Sequence, residues 1–533
     1  MFPTLLNTVA AGVGLYILRS LHLLYASSKR QRNFPPGPPT VPFIGNILDF
    51  PREQLQFKFT EWSKKYGAIY SLKVMHLTII VLNSPTAVKE IIDKRGATSA
   101  NRPASVIADI VTPNNLNLGS GQYANDTWKA LRKASVHMLR PENMDLFKPF
   151  QRAEVIQLLW EMSTTPETFW EDIARMTTSF FMGVIYGIRA PRATSYAARA
   201  FTETNKEFIE CMDVGKAPPV DVFPILNAVP ARFSGWKQRA LSLKKRQEEL
   251  FGYLLDIVKA RVIRGQNNGA FMEEAYTHAE KWGLSPPLLL NLGGALLQGS
   301  DTPAGIVQNF VLFLSAHPEA QKKAQMEIDA VVGMDQPPTW EDLPRLPYMH
   351  AFIEECMRFR PIAPLALPHA MSEDETYDGM LFPKDAIVFM NVWGIMHDEK
   401  YYEEPEKFIP ERFLAHPLGV RPDVEDDPAR RDLSFGGGRR VLANLIWAFN
   451  FSPAIKPSGE VVPPDLWAFS DGITFAPRPF KTTIAVRSPE KKDIIRRLFL
   501  EQTELFKPFE QDLQAQDTEY IQRVRETIRM SSQ

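Results

Sequence analysis

The spacing of apolar and polar residues is helical along most of the middle of the chain. Between Asp126 and about Met334, apolar side chains recur at intervals of three and four residues, which is typical of amphipathic helices. The long helices predicted from this spacing span Glu142–Thr164, Pro166–Tyr186, Tyr196–Met212, Phe233–Arg264 and Pro287–Ala316. The proline-rich stretch Gly215–Pro230 separates two of them, because proline cannot continue a helix interior.

The pattern differs towards both ends of the chain. A helix is expected near Glu53–Tyr66, followed by two strands rich in apolar and β-branched residues, Ala68–Val74 and Leu77–Asn83. After Pro361 the pattern indicates short strands interrupted by prolines, and a helical tail begins at Pro489. The sequence therefore predicts a mostly α fold with a small β portion, of the α+β class.

The N-terminus carries an apolar segment followed by a basic cluster and a run of prolines. Thr4–Ala26 is long enough to cross a bilayer once, and Lys29–Arg32 follows it, which favours a retained anchor with the rest of the chain in the cytosol. Pro35–Pro39 cannot be helical and is typical of a stiff spacer. We predict a membrane anchor over residues 1–28, a hinge over 29–52 and one domain over 53–533. A buried or surface-lying helix remains the alternative for the first segment.

Composition excludes several classes of protein. The net charge is −1, from 61 basic and 62 acidic residues, so nothing indicates a nucleic-acid partner. Two cysteines, Cys211 and Cys356, cannot form a disulfide framework and fit a reducing compartment. The nine histidines include no pair at the helical spacing of a zinc site.

The segment Gln298–Pro303 interrupts the longest apolar helix with residues that disfavour a helix. Pro303 has no N–H for the carbonyl of Gly299, and Gly299 has no side chain, so a groove is expected there. Asp301 and Thr302 place a carboxyl and a hydroxyl beside this groove, where they are suited to relaying protons. The alternative is a proline kink in an ordinary core helix.

Two further patterns place charged residues on shared helix faces. Trp128 and Arg132 are four residues apart, so they can hold an apolar plate and its carboxylate edge together. Glu355 and Arg358 are three apart, and Arg412 follows in a proline-rich stretch. A glutamate held between two arginines would form a buried ion network, which is costly unless every group is satisfied.

The stretch Ser434–Phe451 joins three glycines and two arginines to an apolar run with helical spacing. A glycine turn that leads into a helix with cations attached is suited to an anionic group. The pattern Phe435-x-x-Gly438-x-Arg440 resembles the haem-binding loop of the cytochrome P-450 superfamily, the haem-thiolate monooxygenases.

The other motifs occur in the order of that family, from the N-terminal segment to the glycine loop. The resemblance implies a haem-thiolate monooxygenase fold and a haem b cofactor, with a proton relay at Asp301 and Thr302. It also implies a structural network of Glu355, Arg358 and Arg412. The propionate contacts that it implies lie on Trp128, Arg132, Arg440 and His369, which occupies the position of an Arg or His in related sequences.

The chain departs from the family pattern at the iron ligand. The family loop continues with Arg-x-Cys-x-Gly, whereas Leu442 occupies the cysteine position and no cysteine follows Cys356. The following residues, Ala443–Phe451, are similar to the end of the next helix in the family. The resemblance thus implies that roughly a dozen residues, three to four helical turns, are missing with the ligand. Cys356 and Cys211 are unsuited as substitutes and are expected to be inert.

Two functions of different class remain open. One is a monooxygenase that oxidises a small, mostly apolar molecule with O2 and electrons from an NADPH-dependent reductase, at the endoplasmic reticulum membrane. The other is an inactive, membrane-anchored family member, or a binder of apolar molecules, that lacks the thiolate. The expected pocket is lined by Ser105–Asn117, Val214–Leu226 and Ala295–Leu297. The overall character resembles fungal family members of secondary metabolism or aromatic catabolism.

Overall fold

The structure is a computed structural model that describes residues 2–213, 218–424 and 439–530. Its α-helices, in chain order, are Phe2–Ser28 (α1), Leu55–Tyr66 (α2), Pro85–Val88 (α3), Gly96–Ser99 (α4), Val106–Val111 (α5), Asp126–Met138 (α6), Pro141–Leu146 (α7), Lys148–Thr164 (α8), Phe169–Tyr186 (α9), Tyr196–Met212 (α10), Gly235–Ile263 (α11), Phe271–Thr277 (α12), Ala279–Trp282 (α13), Pro286–Leu297 (α14), Asp301–Ala316 (α15), Pro318–Val331 (α16), Pro347–Phe359 (α17), Val392–Met396 (α18), Arg412–Ala415 (α19), Arg439–Ala448 (α20), Pro489–Phe506 (α21) and Ala515–Met530 (α22).

The strands form small sheets beside the helices. They are Ile69–Val74 (β1), Leu77–Leu82 (β2), His369–Ala370 (β3), Glu375–Tyr377 (β4), Met380–Phe382 (β5), Ile387–Met390 (β6), Phe449–Ile455 (β7), Val461–Val462 (β8) and Thr482–Val486 (β9). One sheet has the order β1-β2-β6-β3, with β2 and β6 parallel and the other pairs antiparallel. The other sheets are β4-β5 and β8-β7-β9. The predicted mostly α fold with a small β portion is confirmed.

The largest apolar cluster joins α8, α9, α15, α16, α17, α20 and α21. It contains fully buried residues from distant parts of the sequence, such as Leu159, Phe310 and Trp447. Burial of a large apolar side chain contributes roughly 1.5–3 kcal/mol, so this cluster is the main source of stability for the helical part. It also fixes α15 on one side of the candidate site.

The predicted helix Tyr196–Met212 coincides with α10, because its amphipathic spacing is uninterrupted. The other boundaries differ where proline intervenes. The predicted Pro287–Ala316 is divided into α14 and α15 by a 3-10 turn at Gln298–Ser300. Glu142–Thr164 is divided into α7 and α8, and Pro149 lies in the first turn of α8.

The first helix and the prolines that follow it are fixed to the first sheet. Arg30 donates hydrogen bonds to the carbonyl oxygens of Gly37 (2.9 Å), Pro38 (2.8 Å) and Ser71 (2.9 Å). Phe43 N–H donates to Ser28 Oγ at 2.9 Å. In the described residues, no helix combines the length and the apolar character needed to cross a membrane. The predicted transmembrane anchor is therefore not confirmed.

The C-terminal helices, α21 and α22, pack on the helical core. Trp160 of α8 stacks on Phe499 of α21, with ring centroids 4.9 Å apart. The segment after α21 carries three acidic residues that pair with arginines of the core: Arg189–Glu510 at 3.0 Å, Arg192–Asp517 at 2.6 Å and Arg261–Asp512 at 2.9 Å. The tail is thus held by both apolar contacts and ion pairs.

Candidate functional site

The break between α14 and α15 opens a space inside the protein. Ala295, Gln298 and Thr302 are half-buried and Gly299 is exposed, although Leu297 and Ala304 beside them are buried. These four residues recur at intervals of three and four, so they share one helix face, and Leu296, Asp301 and Pro303 beside them are accessible as well. A Cβ added to Gly299 would meet nothing within 4 Å. This face lines an open space where the apolar helix is interrupted.

Asp301 borders this open space, which we call the chamber. The residue is accessible to solvent, yet burial among protein atoms raises the pKa of its carboxyl above the usual range for aspartate. The carboxyl is therefore partly desolvated although the residue stays accessible. In the described residues, the side chains of Asp301 and Thr302 have no hydrogen-bond partner, so both polar groups are free to act on a molecule in the chamber.

A residue of the loop that precedes α6 reaches the break. Asn117 Nδ2 donates a hydrogen bond to Gln298 Oε1 at 3.0 Å, and Asn117 itself is buried. Asn117 belongs to the predicted pocket segment Ser105–Asn117, but its contact with Gln298 was not predicted. The only signal in the sequence is that Gln298 stands where the family pattern has a small residue.

Trp128 lies on α6, which begins after the capping residue Asn125. The indole N–H of Trp128 donates to the carbonyl oxygen of Leu118 at 3.0 Å, and its ring approaches Gly121 so closely that a Cβ there would lie 2.3 Å from Cδ1. The indole N–H is therefore occupied by the loop in this structure. Arg132, one turn later, is exposed.

Arg132 belongs to a group of cationic side chains that have no carboxylate partner in the part of the chain that the structure describes. Arg102 donates to the carbonyl oxygens of Leu367 (2.9 Å) and Pro368 (3.0 Å), and its pKa is lowered by burial and by the charge of Arg132. His369 Nδ1 lies 2.8 Å from the carbonyl oxygen of Ser99. Arg102 was not predicted, because a lone arginine in a loop carries no sequence signal.

Burial, followed by the charge of Arg102, lowers the pKa of His369 to about 4. Because a carbonyl oxygen only accepts, Nδ1 of this neutral imidazole carries the proton. Arg102 and Arg132 therefore form a cradle of positive potential near residues 367–369, and the neutral His369 borders it with Nε2 as an acceptor. A carboxylate would be attracted there by the charge of the two guanidinium groups.

Arg440 packs against a different set of residues. Its guanidinium is 5.3 Å from the ring centroid of Trp340 and donates to the carbonyl oxygen of Lys148 at 3.5 Å. Burial, followed by the charge of Arg152, lowers its pKa to about 10. No hydrogen bond or ion pair of the described residues joins it to Arg102, Arg132 or His369. Phe435 and Gly438 of the same predicted loop lie outside the described residues.

Leu442 is completely buried in the main apolar cluster, within α20. The two cysteines are also buried and free of disulfides. Cys356 is on α17, where burial and then the charge of Glu355 raise its thiol pKa well above the usual range. Burial also raises the pKa of Cys211. A thiolate, the form that binds iron, is thus disfavoured at both positions.

Glu355 is brought together with both predicted arginines. Its carboxylate lies 2.7 Å from Arg358 Nε and 3.1 Å from Arg412 Nε, and its Oε1 accepts the backbone N–H of Ile409 at 2.8 Å. Arg358 also donates to the carbonyl oxygen of Met396 at 2.9 Å. The network joins α17 to the irregular segment on the way to α20.

The comparison with family models decides which family this is. The model of cytochrome P450 matches residues 35–441 of the chain. The chain belongs to the cytochrome P450 family. The matched region ends at Val441, directly before Leu442, where the motif of this family departs from the present sequence.

Curated P450 relatives match nearly the whole chain. A cytochrome P450 monooxygenase of Armillaria gallica is 38% identical over 514 residues, covering 93% of this chain and 96% of that protein. The monooxygenase acuD of Aspergillus aculeatus is 34% identical over 533 residues, with 96% and 99% covered. The monooxygenase yanC of Aspergillus niger is 34% identical over 517 residues, with 92% and 96% covered.

A solved structure has the same fold. A zebrafish cytochrome P450, determined with abiraterone, superposes with a TM-score of 0.62 at 22% identity. The match covers 81% of this chain and all of that one. At this level of identity the comparison shows the fold alone.

Membership of the P450 family implies a haem cofactor, which can be tested against the residues present. The cradle of Arg102 and Arg132 would be suited to carboxylates such as the haem propionates. The iron ligand does not fit, because Leu442 cannot bind iron and both thiols are buried. Cationic groups that could hold propionates are thus present among the described residues, and a cysteine at the family's ligand position is not.

Proposed function

We propose that this chain provides the scaffold of a haem-dependent monooxygenase for a small, mostly apolar organic molecule. The observation that carries the proposal is the chamber at the break between α14 and α15, with Asp301 and Thr302 free of protein partners. The three relatives named above are fungal P450 monooxygenases, and for this chain we propose a role in secondary metabolism or aromatic catabolism.

Asp301 and Thr302 would move protons in the chamber. Because the pKa of Asp301 is raised, its carboxyl binds a proton more readily near neutral pH than an ordinary aspartate does. The hydroxyl of Thr302 can both accept and donate, so it can pass that proton on. When bound, the haem of this family activates O2, and the thiolate favours O–O cleavage. P450 monooxygenases take electrons from a reductase, and an NADPH-dependent one is proposed here.

A second candidate function is that of an inactive family member that binds apolar molecules. It is favoured by Leu442, which is fully buried in α20 where the family has the cysteine ligand. In the first proposal a segment is missing from this chain between Val441 and Leu442, through alternative splicing or a misread exon. Reading the transcript across the codons for these two residues separates the two origins.

The absorbance band of the reduced carbon monoxide complex tests the proposal directly. The unmodified chain should give no band of the thiolate-ligated type. Leu442→Cys should not restore it, because the side chain at this position points into the apolar core. Inserting about a dozen residues, three to four helical turns, that begin with Cys-x-Gly between Val441 and Leu442 should restore the band.

Each outcome of this experiment decides between the candidates. A restored band with oxidation of an apolar probe supports the monooxygenase scaffold. A folded insertion variant that gives no such band supports the binder instead. A thiolate band from the unmodified chain would refute the lost ligand, and Cys356 would then be the first residue to test.

We also propose that α1 associates with the endoplasmic reticulum membrane, with the helical domain in the cytosol. The support is the apolar character of residues 4–26 and the basic cluster that follows them. The corresponding deletion is described in the Discussion.

A further inference from the structure

The bridge between Asn117 and Gln298 fixes the direction of both side-chain amides. Asn117 Oδ1 accepts the backbone N–H groups of Gly119 at 2.8 Å and Ser120 at 3.1 Å. Because those two groups can only donate, the oxygen of Asn117 must face them. Its nitrogen therefore faces Gln298, and Gln298 must present its own oxygen, Oε1, to the bridge.

The amide nitrogen of Gln298 is consequently turned away from the loop. Its two N–H groups have no hydrogen-bond partner among the residues that the structure describes. Gln298 lies on the same helix face as Gly299 and Thr302, and the space that a Gly299 side chain would fill is open. A pair of donors of fixed orientation thus lies beside the chamber.

From this geometry we infer that Gln298 selects substrates that carry a neutral hydrogen-bond acceptor, such as a ketone or ester carbonyl, on an otherwise apolar skeleton. The inference rests on the proposed chamber function and names its substrate class. A donor left without a partner when a ligand fills the chamber weakens binding, so a ligand without the acceptor binds less tightly. The loop around Asn117 acts as the positioning element, because it holds the amide of Gln298 in one of its two orientations.

The charge near the break explains why the acceptor is neutral. Asp301 is three residues from Gln298 and, when ionised, repels a carboxylate ligand at this end of the chamber. The guanidinium groups of Arg102 and Arg132 attract carboxylates instead. The break is thus suited to a carbonyl rather than to a carboxylate.

Three ligands of nearly the same size test the inference: benzophenone with an acceptor, diphenylmethane with neither group, and diphenylamine with a donor. Their binding to the full chain can be measured by equilibrium dialysis, which requires no haem and no turnover. Benzophenone should bind about tenfold more tightly than diphenylmethane, the size of one net hydrogen bond. Gln298→Leu should bind all three ligands with nearly equal affinity.

Asn117→Asp provides a sharper test. One carboxylate oxygen can keep the bonds to Gly119 and Ser120, while the other faces Gln298 and can only accept. The amide of Gln298 must then rotate and present Oε1 to the chamber. The preference should change from benzophenone to diphenylamine by a similar factor.

Asn115→Asp is the matched control in the same loop. Asn115 Oδ1 accepts the backbone N–H of Gln122 at 2.8 Å, and it has no hydrogen bond with Gln298 in the described structure. This variant adds the same charge and should keep the preference for benzophenone.

The outcomes separate the inference from the proposal on which it rests. Equal binding of benzophenone and diphenylmethane by the parent chain would overturn the role of Gln298 alone. An unchanged preference in a folded Asn117→Asp variant would overturn it as well. Failure of all three ligands to bind would overturn the chamber itself. If Asn117→Asp does not fold, Gln298→Leu decides the question. Loss of the tenfold difference between benzophenone and diphenylmethane supports the role of Gln298, and a retained difference overturns it.

Discussion

Glu355 is a residue whose loss cannot be compensated locally. It is completely buried and its carboxylate is shared by Arg358, Arg412 and the backbone N–H of Ile409. Glu355→Ala leaves buried cations without a partner, which costs roughly 3–5 kcal/mol. We expect a much lower thermal midpoint or no soluble protein.

The neighbouring Glu354→Ala is the control for this substitution. Glu354 pairs with Arg439 at 3.2 Å, and both side chains are partly exposed, so its loss should cost about 0–1 kcal/mol. A Glu355→Ala variant that melts together with the Glu354→Ala variant would show that the network has no structural role.

The protonation of His369, beside the cradle, makes the stability of the fold depend on pH. Its pKa is about 4 in the folded chain, below the usual 6.5, so the unfolded state binds more protons between these values. Stability contributed by the neutral imidazole is therefore lost as the pH falls from about 6.5 to 4. His369→Gln should flatten the pH dependence of the unfolding midpoint in this window. The exposed His278→Gln should leave that dependence unchanged, and equal slopes for His369→Gln and the parent would contradict the expectation.

At the scale of elements, α1 is the part of the chain whose removal should disturb the fold least. It precedes every residue of the main apolar cluster, and its outward-facing leucines are exposed, for example Leu15 and Leu18. A chain that lacks residues 1–34 should leave the membrane fraction and stay folded. Its helical circular dichroism should fall only by the share of α1, and its thermal midpoint only by the loss of the Arg30 hydrogen bonds. A full-length chain found entirely in the soluble fraction would contradict the proposed membrane association.

The α20 helix packs fully into the core although it lacks the iron ligand that the family has at this place. From Arg440 to Ala448, all of its residues are buried, and Asn444 Nδ2 donates to the carbonyl oxygens of Arg440 and Pro338. The helix packs without an iron ligand because its apolar side chains alone satisfy the cluster. Packing therefore gives no indication that a segment is missing, whereas the motif does.

At the scale of the whole molecule, the C-terminal tail holds the helical core together. Arg189 and Arg261 are nearly or fully buried and pair with Glu510 and Asp512. A chain that ends at Phe506 leaves both arginines with fewer anionic partners, at a cost of roughly 3 kcal/mol or more. We expect a lower thermal midpoint and faster proteolysis.

The ligand preferences should survive this truncation, because the tail does not contact Asn117 or Gln298 in the described structure. Glu504→Gln, which removes only the exposed pair with Lys507, is the matched control for lost charge and should melt like the parent. An equal midpoint for the truncated chain would show that the tail is dispensable.

Much of this fold could be predicted from local sequence patterns. Features that depend on contacts between residues far apart in the sequence could not. The helix Tyr196–Met212 follows from its own amphipathic spacing, and the break near Gly299 follows from glycine and proline. The pairing of Asn117 with Gln298 joins residues that are 181 positions apart, which no local pattern encodes. The propionate contact of Arg440 stays a prediction of its motif, whereas its packing against Trp340 joins residues that are far apart in the sequence and follows from no local pattern.

Because both native thiols are buried, a single dye attached to an introduced cysteine can follow the motion of the loop that contains Asn117. Cys211 and Cys356 are inaccessible, so a cysteine introduced on the surface would be the only one open to a maleimide dye. Gly119→Cys suits this purpose, because the position is exposed and a Cβ there meets its nearest atom, Asn117 Oδ1, at an ordinary 3.4 Å. A dye at this site would report, one molecule at a time, how often the loop leaves Gln298.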